Sequence, residues 1–304
     1  MNKNSEIVTT LPKSLGMRDY IALGKLRLAS LVVFSAVLGY FIGLNSVSNL
    51  NWLHLTLLVL GGFLVTASSN AFNQIWEKDL DAKMDRTKDR PIAAQRLTVL
   101  DGFIFAIATG VIGEVCLFLI NPLSGWLGLL ALVMYVLLYT PMKQINPVAV
   151  LIGAFPGSIP PLLGYVAVTG DFGWAPGILF LTQFFWQFPH FWAIAWNINE
   201  DYEKASFFML PTREGRTKDN AFIIFIFTAV TIPIGILPCL QLTPDTQPIC
   251  NLWAMMPLAM LGVYFTLPAM KLYQTLDKKY AKKLMFASFV YLPLAQICYL
   301  IFKL

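Results

Sequence analysis

An all-α integral-membrane bundle of nine helices is the fold this sequence predicts, and three observations predict it. Hydrophobic residues make up 57% of 304 positions and charged residues 13%, whereas soluble domains carry about a quarter charged residues. The apolar residues gather into nearly uncharged stretches of about 17–25 residues, the length that crosses a bilayer core. All of the 22 basic residues except Lys303 lie in the N-terminal tail or in alternate loops. The positive-inside rule makes the side that they share cytoplasmic.

The first 22 residues form a polar tail that lacks the short apolar core of a signal peptide, so the first span is expected to direct insertion. The expected spans are 23–44, 53–76, 100–120, 124–142, 147–168, 174–196, 220–240, 252–270 and 284–302. Lys3, Lys13, Arg18, Lys25 and Arg27 precede or open the first span, and Lys78, Lys83, Arg86, Lys88, Arg90 and Arg96 follow the second. Lys143 follows the fourth; Lys204, Arg213, Arg216 and Lys218 follow the sixth; Lys271, Lys278, Lys279, Lys282 and Lys283 follow the eighth. This pattern places the N-terminus in the cytoplasm and, after nine crossings, the C-terminus outside. The net charge of +5 therefore describes a topology, and no nucleic-acid partner is expected. The whole chain, 1–304, reads as one membrane domain, with 1–22 as a cytoplasmic tail.

The chemistry gathers in two inward loops. From the second span emerge Asn73, Glu77, Asp81, Asp85 and Asp89, one every fourth residue. Residues four apart share a helix face, and the helix is expected to run on until Pro91, which cannot extend it. Crowded carboxylates repel by on the order of 4 kcal/mol per close pair at an effective dielectric near 20, so a cation between them is expected. Asn73, Glu77 and Asp81 offer oxygen ligands to Mg²⁺, a hard cation that binds through a few carboxylates together with phosphate oxygens and water. Arg86 and Arg90, also four apart, suit the clamping of phosphate, and Lys143 is within reach of the same anion. Asp79 points away on helical geometry. The bland reading is a solvated interfacial helix with i,i+4 ion pairs.

The second loop runs from His190-Phe-Trp192 through Asn197, Glu200, Asp201, Tyr202 and Lys204 to Met209-Leu-Pro211. Asn197 and Asp201 form a reduced copy of the first ladder, and the two loops, four spans apart, hint at a duplicated half. His190 and Glu114 are ionisable groups inside spans, which by default raise a functional question. The segment Gly153 to Gly164, with Pro156, Pro160 and Pro161, is expected to interrupt the fifth helix. Cys239 and Cys250 flank the outward loop 241–251, either as a disulfide or as separate thiols.

Together these stretches resemble the UbiA superfamily of intramembrane prenyltransferases, from the basic start of the first span to the ninth. Asn73, Glu77 and Asp81 occupy the superfamily's Asn-x-x-x-Asp-x-x-x-Asp motif, with Glu in the middle place. Leu26 stands where the Lys-Pro-Arg at the first span usually carries Pro. The string from His190-Phe-Trp192 through Asp201-Tyr202 to Met209-Leu-Pro211 is similar to the heme-prenylating branch. The resemblance implies Mg²⁺-assisted transfer of farnesyl from farnesyl diphosphate to a vinyl group of heme B, within a bacterial inner membrane. It implies Asn73, Glu77 and Asp81 as catalytic metal ligands, and Arg86, Arg90, Lys143, Asp201 and Lys204 as the diphosphate site. His190 is implied as a heme contact, and contact with heme A synthase or terminal-oxidase assembly follows from the same branch. The alternatives are an aromatic acceptor in quinone synthesis, a solute transporter with an acidic gate, and a non-catalytic assembly factor.

Overall fold

The computed structural model describes residues 16–304; Lys3 and Lys13 lie outside the described residues. Among the described residues there are nine long helices and no β-strand beyond a single bridge between Cys250 and Lys303. The helices are α1 (Leu26–Gly43), α2 (Trp52–Trp76), α3 (Val99–Ile120), α4 (Pro122–Met142), α5 (Ala149–Thr169), α6 (Trp174–Asn197), α7 (Lys218–Ile236), α8 (Met255–Thr275) and α9 (Lys278–Ile301). Eight are long and apolar enough to cross a membrane; α6 falls below that measure. Its buried face carries Gln183, Gln187 and His190. Large apolar residues such as Ile112, Leu119, Leu137, Met260 and Leu267 are exposed on the outside of the bundle, where lipid replaces water as solvent. This is an integral, multi-pass membrane protein.

Helix α2 packs on α3, α1 on α5, and α5 on α6, while α7, α8 and α9 pack in succession and α9 closes against α6 and α1. One core cluster joins α1 to α5 and a second joins α5 to α9. Helix α5 is therefore the shared wall. It is continuous from Ala149 to Thr169 despite Pro156, Pro160 and Pro161, which corrects the expected interruption. Pro161 has no N–H for the Gly157 carbonyl, and Gln183 Nε2 of α6 donates to that carbonyl at 2.7 Å instead. Gln183 also accepts from Ser35 and Gln296, so α1, α5, α6 and α9 meet in a satisfied polar layer inside the membrane. Gly39 and Gly164 bring the α1 and α5 backbones together; a Cβ at either would collide with the facing main chain.

Three expected boundaries move. The first span does not begin at 23: a short helix, Met17–Gly24, ends there, and Lys25 turns the chain in the left-handed region (φ 49°) before α1. Helix α9 begins at Lys278 and so takes in the basic run Lys278 to Lys283, because the Asp277 side chain accepts from Lys279 N at 2.8 Å and caps it. Helix α2 stops at Trp76 instead of running to Pro91. The chain kinks at Glu77, makes the single turn Lys78–Asp81, and proceeds through turns.

Candidate active site

The kink after α2 is stabilised by groups that a straight helix would have no use for. Thr87 Oγ1 donates to the Asp81 carbonyl at 2.9 Å, and Met84 buries itself under the loop. Across the bundle, Asp201 accepts from the backbone N–H groups of Asp85 and Arg86 at 2.9 and 3.0 Å. These bonds satisfy the backbone that leaves the helix.

The five-rung ladder therefore divides. Asn73, Glu77 and Asp81 are buried at 2%, 2% and 0% exposure, while Asp79, Asp85 and Asp89 are exposed. Glu77 Oε1 lies 2.8 Å from Lys143 Nζ, both inside the protein. Arg90 donates to both carboxylate oxygens of Asp81 at 2.7 Å. Asn73 donates its amide to Thr140 Oγ1 at 3.3 Å, and Thr140 donates to the Tyr135 carbonyl. With its NH₂ engaged, the oxygen of Asn73 is the atom left for a cation.

A third basic side chain, Lys25, completes the group. Asn70 and Gln74 of α2 donate to the carbonyls of Gly24 and Leu23, which fixes the break at Lys25 beside the ladder. Burial, with the positive charges of Arg90 and Lys143, holds the Lys25 ammonium well below its usual range, against the pull of Glu77 and Asp81. Burial likewise pushes the Asp81 carboxyl up, with Arg90 opposing. Burial works most strongly against a charged Lys143, but Glu77 together with Tyr135 and Tyr202 holds that ammonium above its ordinary value. Lys143 also lies over the Tyr139 ring at 4.6 Å. Lys25 went unnoticed as a site residue; its signal was its place in the Lys25-Leu26-Arg27 break before α1.

Beyond Asn73 the interior turns apolar. An apolar cleft runs among α1, α2, α3, α4 and α5, with Asn70 and Tyr135 near the ladder and Leu58, Leu117 and Leu163 among its lining. From Asn70 to Leu58 is twelve residues of α2, roughly 18 Å of rise.

The second loop is built differently from its sequence copy. Asn197 donates to Ala193 O within α6. Asp201 joins the two loops and also holds Lys204 at 3.1 Å, and Lys204 pairs with Asp85 as well. Glu200 is held by Arg216 at 2.5 Å and Lys278 at 3.5 Å. The structure thus brings Asn73, Glu77, Asp81, Arg90 and Lys143 into one buried group. Asp201 and Lys204 stand at its exposed edge, and the Arg86 side chain is unpaired among the described residues.

His190 is buried at 8% exposure, stacked on Trp186 at 4.5 Å, with its Nδ1 2.7 Å from Ser288 Oγ. Ser288 spends its only proton on the Met285 carbonyl, so Nδ1 is the donor and Nε2 keeps its lone pair. Its contacts are with α6 and α9, not with the carboxylates. Glu114 packs against Gly128, its two oxygens without a hydrogen-bond partner among the described residues.

Among the described residues no group of three or more His, Cys, Asp and Glu side chains is arranged to hold a metal. The first ladder supplies two carboxylates and an amide oxygen, a partial set. That fits Mg²⁺, which is bound by one or two carboxylates while substrate phosphates and water complete its shell. Lys143 and Arg90 already show that each carboxylate accepts a positive partner.

A helical membrane bundle with an acidic and basic mouth above an apolar cleft defines a class, and comparison with known proteins agrees on it. The chain belongs to the UbiA prenyltransferase family, whose model matches residues 32–291. It is 44% identical to the protoheme IX farnesyltransferase of Christiangramia forsetii, over 96% of this chain and 95% of that one. It is 42% identical to the enzyme of the same name from Cytophaga hutchinsonii, over 94% and 97%. Solved structures with the same fold include a digeranylgeranylglyceryl phosphate synthase, with TM-score 0.74, 18% identity, and coverage of 94% of this chain and 97% of that one. A UbiA homolog from Archaeoglobus fulgidus bound to GPP and Mg²⁺ has TM-score 0.65 and 16% identity, over 93% and 99%.

Proposed function

We propose that this prenyltransferase moves a farnesyl group from farnesyl diphosphate to a vinyl group of heme B, giving heme O and pyrophosphate. The observation that carries the reading is the pair of buried contacts, Glu77 with Lys143 and Asp81 with Arg90, at the polar end of the apolar cleft. The choice of acceptor and prenyl donor rests on the relatives named protoheme IX farnesyltransferase, at 40–44% identity.

Breaking the allylic C–O bond places negative charge on the departing diphosphate. Arg90 and Lys143 are the cations at that position, with Lys25 beside them and Arg86 free at the edge to clamp a phosphate bidentately. Asn73, Glu77 and Asp81 would hold Mg²⁺, which when bound supplies Lewis-acid neutralisation of the same charge. The cleft takes the tail. At roughly 1.2 Å per skeletal bond, as in extended chain, the twelve-carbon backbone of farnesyl spans about 13 Å and fits the length from Asn70 to Leu58. Its walls exclude water from the allylic cation until the vinyl π-bond attacks, after which water captures the cation formed on the acceptor. His190, with Nε2 free, is the residue proposed to contact heme. Asp201 and Lys204 hold the first loop over the mouth and complete the diphosphate site. The one-sided basic residues support a mouth and an N-terminus in the cytoplasm, and the heme-prenylating reading brings with it a bacterial inner membrane and heme A synthase or oxidase assembly as downstream neighbours.

The test uses purified protein with farnesyl diphosphate, Mg²⁺ and either heme B or an aromatic acid, read by product mass. Heme O formation that stops with a strong chelator is the expected result. Product on the aromatic acid alone would overturn the acceptor, and undiminished turnover under chelation would overturn the metal.

A further inference from the structure

Far from the carboxylates, three of the four cysteines, Cys239, Cys250 and Cys298, sit in one buried cluster. Cys239 closes the turn Leu237–Cys239 after α7, and Cys250 stands just before the turn that leads into α8. Their sulfurs lie 2.9 Å apart, and the residues are 2% and 0% exposed. Backbone bonds set this meeting. Ile249 N and Cys250 N both donate to the Pro238 carbonyl, at 2.8 and 3.2 Å. The chain end then braces the segment: Asn251 N donates to Phe302 O at 2.9 Å, and Leu304 N to Ile249 O at 3.2 Å. Hydrogen-bonded main chain thus holds the two sulfurs side by side.

The loop between them, 240–249, is on the face opposite the basic loops. It holds Asp245 and no Lys or Arg. In the orientation proposed above, on which this inference rests, that face is extracytoplasmic, the compartment in which disulfides form and persist. We propose that Cys239 and Cys250 form a disulfide that clasps the outer ends of α7 and α8 beneath the C-terminus. The oxidant is a disulfide-bearing thiol oxidase of that compartment. One cysteine thiolate attacks its disulfide to give a mixed disulfide, and the second expels the oxidant's sulfur as a thiol. Two cysteines lose two electrons and two protons, and the oxidant leaves as a dithiol. The step precedes closure of the chain end, after which the bond is buried. Cys298, in the middle of the last turns of α9, stays a thiol, as does Cys116 of α3.

The test traps whole cells in acid, blocks free thiols with N-ethylmaleimide in denaturant, then reduces and labels with a polyethylene-glycol maleimide. Two labels are expected on the natural chain and on Cys116→Ser and Cys298→Ser. None are expected on Cys239→Ser, Cys250→Ser or the double variant. No label gained by the natural chain would overturn the bond. An Asp245→Cys reporter in the double-serine background separates this failure from a failure of orientation. Labelling of intact cells by an impermeant maleimide, with no disulfide in the natural chain, sinks the bond alone. An unlabelled reporter sinks the orientation, and the bond with it. Formation of heme O reports on neither.

Discussion

After α2 the backbone kinks at Glu77 and continues as the turn Lys78–Asp81; after α6 it kinks at Ile198 and continues as Asn199–Lys204. The two halves thus repeat one device, a long helix ending in a bent acidic turn. In the first, Glu77 and Asp81 are buried and each faces one cation across a short gap. In the second, Glu200 is exposed and spent on Arg216 and Lys278, and Asp201 is spent on the backbone of the first loop. Similar local geometry yields a pair of buried ion contacts in one place and an exposed clamp in the other. Burial makes the difference, because charge interactions strengthen where water is excluded.

Substitutions in the first loop break that comparison most sharply. Glu77→Gln and Asp81→Asn should each lower farnesyl transfer by roughly 10²–10³-fold, the cost of losing one preorganised electrostatic group. Glu200→Gln in the second loop should change it by less than about threefold, as exposed ion pairs contribute little. Product mass measured on protein that remains monodisperse in detergent checks both. Equal losses in the two loops would erase the distinction.

Next in size is Lys143→Ala, which strands Glu77 inside the protein. Breaking a buried pair costs about 3–5 kcal/mol, read as a lowered thermal midpoint, and activity should fall with it. Asp201→Ala removes the acceptor for two N–H groups, a loss of about 2 kcal/mol. It should raise the KM for farnesyl diphosphate more than it lowers kcat, because it frees the first loop without touching the ladder.

The smallest effect is in pH. Burial raises the Asp81 carboxyl before Mg²⁺ arrives, so the acidic limb of Mg²⁺ binding measured against pH should lie above the ordinary aspartate range of about 4. Arg90 pulls that carboxyl down, so Arg90→Gln should move the limb to still higher pH. The clamp behaves oppositely. Asp85 and Glu200 are held down to about 2, Asp85 by Lys204 and Lys88 and Glu200 by Arg216. Their contribution to stability is present above the unfolded value near 4 and is lost only as pH falls toward about 2. Protection of the two loops from protease should therefore persist at pH 4.5, where Mg²⁺ binding has begun to fall.

The spacing of Asn73, Glu77 and Asp81, the nine long helices and the one-sided basic residues could all be read along the chain. Hydropathy, helical period and loop charge are local quantities, and a span needs only its own residues to be recognised. The exact end of α2 could not be read. Its continuation to Pro91 satisfies every local rule, and the loop that replaces it is held in part by Asp201, more than a hundred positions away, which accepts from Asp85 and Arg86 N–H. Lys25 could be read as a basic residue at the first span, but its place beside the ladder is set by amides of α2. The carbonyl that Pro161 leaves unpaired in α5 is taken up by Gln183 of the next helix.

By itself, then, the sequence determined the class of fold, the face that bears the carboxylates, and the family. Tertiary structure decided which cation meets which carboxylate, and which acidic turn is buried and which is spent as a clamp. The reason is range: a helix repeats every few residues, but a charge in a low-dielectric interior is governed by whatever the fold brings beside it.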